Sequence, residues 1–141
     1  MSEGIPYRLI DHVADLGMEV RAPTLEGLFV ESARALFDIL GTLDTTRATI
    51  VETLDLDGED LEEVFHGWLS ELLFLSAARE TVFSEFRVLT LDAKHLKAEA
   101  AGERIDRNRH AIEREIKAIT FHGLEVVEED GGWRANVIFD V

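Results

Sequence analysis

Between residues 24 and 41 the apolar positions Leu25, Leu28, Phe29, Ala33, Leu36 and Leu40 recur at three- and four-residue steps, with Glu26, Glu31 and Arg34 outside the stripe. That period predicts one amphipathic α-helix. Thr24, after Pro23, is suited to cap its first amide groups, and Gly41 is a natural stop. A second stripe runs through Leu61, Val64, Phe65, Trp68, Leu69, Leu72, Leu73 and Leu75. Asp60 precedes it with Glu63 three residues on, a capping box with aspartate in the cap position. The stripe is broad, so this helix is expected to pack deep against a sheet.

Elsewhere the period is two. Tyr7 and Leu9, then Met18 and Val20, alternate with polar residues on either side of DHVADLG (11–17), which reads as a loop or bulge between strand pieces. Residues 49–56 suggest a strand before a turn at Gly58, and further strands are expected over 83–92, 95–101, 116–121, 124–128 and 133–141. Asp130-Gly131-Gly132 is a hairpin signal between the last two. In the final strand Trp133, Ala135, Val137, Phe139 and Val141 share one face, and Arg134, Asn136, Ile138 and Asp140 the other. The sum is an α+β fold: a single domain over 1–141, with two amphipathic helices packed on a mostly antiparallel sheet of about six strands.

Charge narrows the function. Against 14 basic residues stand 29 acidic ones, a formal net charge of −15 that repels phosphate backbones and anionic lipids alike. Direct nucleic-acid binding is disfavoured, and an acidic surface is suited to a basic partner or to gathering cations. Cysteine is absent, which excludes disulfides, thiolate nucleophiles, zinc–thiolate sites and iron–sulfur clusters. With no apolar run long enough to span a bilayer and no basic-then-apolar leader in MSEGIPYRLIDH, the expected location is the cytoplasm.

The five histidines, His12, His66, His95, His110 and His122, form no recognisable arrangement with a serine or threonine nucleophile, and neither a Walker loop nor Gly-x-Ser-x-Gly occurs. No catalytic motif stands out. His66 reads as a flanking helix residue. If Asp15 lies on a strand beside the last one, its carboxylate, that of Asp140 and the main-chain oxygen of Val141 make a hard-oxygen set suited to Ca²⁺, Mg²⁺ or Mn²⁺. The alternative is a solvated strand end. Lys117, expected on one face with Ile119 and Phe121, is either a cation held near those carboxylates or a side chain snorkelling at the sheet edge.

Four segments resemble the archease family in order along almost the whole chain. DHVADLG is similar to its His-Thr-Ala-Asp-hydrophobic-Gly segment, TLEGLFVESARALFDIL to its first helix, EIKAITFHGLEV to its Lys-Ala-hydrophobic-Thr-Tyr-His signature and GGWRANVIFDV to its last strand. The resemblance implies an accessory protein for RNA ligases of the RtcB type, which use GTP and a divalent metal to join RNA ends in tRNA splicing and repair. It implies that the chain promotes guanylylation and multiple turnover of that ligase. It further implies a divalent cation, Ca²⁺ or else Mg²⁺ or Mn²⁺, bound by Asp15, Asp140 and the main chain of Val141, with Lys117 and His122 contacting the ligase or its cofactor. Val13 stands where the family has threonine, so a hydroxyl near the carboxylates is lost. A chaperone-like protein-binding module without metal chemistry is the competing expectation, and a small metal-dependent hydrolase ranks below both.

Overall fold

The computed structural model of the chain describes residues 6–11 and 15–141. Two strands, β1 (Tyr7–Asp11) and β2 (Asp15–Ala22), lead into helix α1 (Leu25–Leu40) and a single 3₁₀ turn at Leu43–Thr45. Strand β3 (Ile50–Asp57), helix α2 (Leu61–Arg79), and strands β4 (Thr81–Leu91) and β5 (His95–Arg104) follow. A short β6 (Ala118–Ile119) and the hairpin of β7 (Glu125–Glu129) and β8 (Gly132–Asp140) complete the order.

The α+β architecture matches the hydropathy pattern, but the expected sheet of about six strands is eight strands in two antiparallel sheets among the described residues. One sheet runs β1-β2-β8, with both β6 and β7 on the far side of β8, and the other runs β3-β5-β4. Local alternation marks strands but carries no information on which of them pair. Helix α1 touches β2 and β8 of the first sheet and β4 of the second, and α2 likewise meets strands of both. The two helices thus join the sheets into one core.

The caps form as their chemistry requires. Thr24 Oγ1 accepts the Gly27 amide at 3.0 Å, and Gly41, at φ 96°, turns the chain so that its own amide and that of Thr42 reach the Phe37 carbonyl at 3.1 Å. Asp60 accepts the Glu63 amide at 2.9 Å, while the Glu63 carboxylate reaches back to the amide of Glu59, one residue before the cap. In the core, the Trp68 indole donates to the Phe29 carbonyl at 2.9 Å, and Phe29 meets Phe65 edge to face at 5.2 Å between ring centres. At the β7–β8 turn both Asp130 (φ 54°) and Gly131 (φ 77°) are left-handed, the geometry of a two-residue type I′ hairpin.

The strand expected over 116–121 shrinks to two residues. Ile116 and Ile119 are buried while Lys117, Ala118 and Phe121 are exposed, so Lys117 and Phe121 do not share the face of Ile119. The cause lies upstream. The irregular segment 105–117 arrives across the α1 terminus, where the Glu113 amide bonds the Leu40 carbonyl at 2.8 Å, and β7 then takes over the edge of β8.

That segment is moored by a polar hub that the sequence did not advertise. Buried Glu103 accepts two bonds of 2.7 Å from Arg109 and one of 2.6 Å from the Arg47 amide. The Asp106 amide donates to His110 Nδ1 at 2.8 Å, so the ring proton sits on Nε2, which faces Glu103 at 3.2 Å. Arg109, followed by the Arg47 amide, holds the Glu103 carboxyl down to about 2. A depressed carboxylate contributes stability that is present above its unfolded value and lost as pH falls through the folded one. Urea midpoints should therefore drop as pH goes from about 4.5 toward about 2. Glu103→Gln should lower the midpoint at neutral pH and flatten that acid limb; a parallel acid limb in the variant would remove Glu103 as its source.

Candidate functional site

Strand β8 and strand β2 pair over eight consecutive positions, from Asp15 opposite Asp140 to Ala22 opposite Trp133. Alternation puts Leu16, Met18 and Val20, with Phe139, Val137 and Ala135, on the buried face. The outward face then carries Asp15, Gly17, Glu19 and Arg21 beside Asp140, Ile138, Asn136 and Arg134. Side chains directly opposite on one face have Cβ atoms about 4.5–5.5 Å apart, and like charges so placed repel.

This face holds two like-charged pairs, and the fold treats them differently. Arg21 and Arg134 are opposite each other, but Glu129 takes Arg21 at 2.8 Å and Arg134 at 2.9 Å, and Glu125 takes Arg134 at 3.2 Å. Arg134 also bonds the Asn136 side chain. Bonds from Arg134 and then Arg21 lower the Glu129 carboxyl below its usual range, as expected of a carboxylate between two guanidinium groups. At the other end, Asp15 is half-buried and Asp140 exposed, and among the described residues neither carboxylate has a basic partner. Nor, among those residues, do three or more His, Asp or Glu side chains gather anywhere as a metal-ligating group. Two carboxylates and nearby main-chain oxygens are donors of the type that suits a hard, oxygen-seeking cation.

The other candidates fall unevenly around this pair. The Asp140 carbonyl accepts the Lys117 amide at 2.7 Å, and Ala118 pairs with Asp140 on the side away from Asp15. Lys117 is therefore anchored next to the carboxylates through its backbone. Val141 follows directly, its half-buried side chain packed on the core. His122 is exposed, and its bond to the site runs only through its amide, which donates to Thr120 Oγ1 at 3.2 Å. His12 and Val13 lie outside the described residues.

His66 is more than the flanking residue its position suggested. A carbonyl only accepts, so the 2.7 Å contact to Ile119 O makes Nε2 the donor and ties α2 to β6. Ser70 then donates to Nδ1 at 3.3 Å, and the ring stacks on Phe121 at 3.7 Å between centres with 11° between planes. A histidine four residues before a serine on a helix was the available signal, but the partner carbonyl belongs to a segment 53 residues away.

Known proteins are similar to this chain in sequence and fold. The profile of the Archease protein family matches residues 7–141. The chain belongs to the archease family. Protein archease of Methanopyrus kandleri is 36% identical over 140 residues, covering 97% of this chain and 100% of that one. Protein archease of Pyrococcus abyssi is 34% identical over 135 residues, 93% of this chain and 95% of that one. The solution structure of protein 1598 of Methanobacterium thermoautotrophicum superimposes with a TM-score of 0.83 at 31% identity, over 97% of this chain and 99% of that one. A crystal structure from Thermotoga maritima, described as an archease and possible chaperone, shares the fold at a TM-score of 0.62 and 23% identity. It aligns over 95% of this archease and 96% of that one.

An uncompensated acid pair has a thermodynamic signature. In chelator and at low ionic strength, Asp140→Asn should raise unfolding stability by about 0.2–1 kcal/mol, with the gain shrinking as salt screens the pair. A destabilised variant in chelator would mean that the two carboxylates do not oppose each other as charges.

Proposed function

We propose that this archease activates an RtcB-type RNA ligase in tRNA splicing or RNA repair, promoting its guanylylation and multiple turnover as an accessory protein and not as an enzyme. The observation that carries the reading is the direct opposition of Asp15 and Asp140 on an outward face, without an internal counter-charge among the described residues. Asp15 and Asp140 would hold a divalent cation, Ca²⁺ or else Mg²⁺ or Mn²⁺, with a main-chain oxygen of Val141 completing the protein's share. When bound, such a cation supplies electrostatic stabilisation to phosphoryl oxygens. The chain's own part is to fix two carboxylates by strand register, to hold the Lys117 backbone beside them, and to leave the outer side open to a partner.

Charge supports the same assignment. A net charge of −15 suits approach to a basic ligase cleft and opposes direct RNA binding. Among the described residues no helix is long and apolar enough to cross a membrane, and we place the partnership in the cytoplasm. A chaperone-like module without metal chemistry is the second reading, favoured by the exposed rings of Phe74 and Phe121. It predicts suppression of client aggregation that survives chelation.

Multiple-turnover joining of RNA ends by the cognate ligase, with GTP and Mn²⁺, tests the proposal. The wild type should stimulate turnover, and Asp15→Ala or Asp140→Ala should reduce that stimulation by an order of magnitude or more. Undiminished stimulation by both variants would keep the partnership and remove the carboxylates from it.

A further inference from the structure

The apolar stripe of α2 does not end at the core. Ser70, Leu73, Phe74 and Ala77 stand at helical spacing on the side of α2 that faces residues 116–119, where Leu73 is half-buried and Phe74 is 61% exposed. Between the helix and that segment lies a hollow of about 440 Å³, floored by Leu73, Ile116 and Ile119. It adjoins a second hollow of about 590 Å³ that shares Leu73, Ala77 and Ile116. Of the six large apolar side chains exposed among the described residues, three gather here: Phe74 at the rim, Ile112 on the second hollow, and Phe121 stacked on His66. Contiguous exposed apolar surface of this kind, centred on aromatic rings, marks a protein-binding face.

The groove is preformed and it touches the acid pair. The bond from His66 to the Ile119 carbonyl and the stack on Phe121 fix one wall to the helix. That wall, Lys117–Ile119, is also the segment that pairs with Asp140, through the Lys117 amide and the Ala118 register. The acid pair and the groove therefore share the β6 edge, where Ala118 pairs with Asp140 and Ile119 lines the groove. A second copy of this chain is disfavoured as the occupant, because two bodies of net charge −15 repel.

We infer that the groove between α2 and residues 116–119 seats an apolar segment from the basic surface of the same ligase that receives the acid pair. This rests on the activator reading. The groove supplies the holding contact, and the carboxylates supply the effect on the ligase.

Titration calorimetry of the full chain with the cognate ligase, run beside the turnover assay, tests it. Phe74→Lys should weaken binding at least tenfold, and so should Ala77→Lys, a second exposed groove position that guards against misfolding of the first variant. Leu89→Lys, an exposed apolar position on the three-stranded sheet, should bind like the wild type. Wild-type affinity in both groove variants, folded by circular dichroism, would overturn the groove. So would self-association of the wild type that Phe74→Lys abolishes. If the wild type does not bind the ligase at all, the activator reading falls and the groove assignment with it. Tenfold weakening in the groove variants, alongside full stimulation by Asp140→Ala, keeps the groove and removes only the carboxylates.

Discussion

The unbroken pairing of β2 with β8 is the constraint on which the rest of the molecule depends. It joins segments from opposite ends of the sequence, gives α1 an apolar face to pack on, and leaves β8 a second edge for β6 and β7. Its register is held by burial. A slip of one residue would turn Leu16, Met18, Val137 and Phe139 to solvent and drive Asp15 and Asp140 inward, reversing every side chain on the strand. Fully buried Phe139 and nearly fully buried Leu16, next to the acids, thus specify where the acids stand.

The helices were legible because each carries its own period and its own caps within one short window: Thr24 and Gly41 for α1, Asp60 for α2. The strands were legible one by one for the same reason. What local pattern could not carry was partnership: that β3, β4 and β5 leave the first sheet, or that the apparent strand over 116–121 pairs with β8 as a strand over only two residues. The Glu103–His110 hub was invisible on similar grounds. Its members come from β5, from the segment before β3 and from an irregular stretch without periodicity, and only the folded chain brings them together.

The candidate site was half legible. Asp15 and Asp140 could each be seen as an acid near a strand end, and a hard-cation set followed if their strands were neighbours. That condition holds, and the register makes it stronger than adjacency, since the two are directly opposite. Comparison with Arg21 and Arg134 gives the opposition its meaning, because there the same like-charge conflict is relieved by Glu129 and Glu125. The bond His66 makes was not legible because its partner is a main-chain carbonyl, a group that every residue possesses and no sequence pattern reveals.

Asp140 is flanked by Asp15 of β2 on one side and Ala118 of β6 on the other, so it does not sit on a fraying edge. Strand amides hydrogen-bonded on both sides and backed by a buried core exchange with solvent only through large openings. Through Asp140 the acid pair is tied to the strand at the centre of the first sheet. Asp15, at the start of β2, is held among the described residues by β8 alone, so the pair is a half-anchored end of the ladder in which Asp140 is the fixed member and Asp15 the adjustable one.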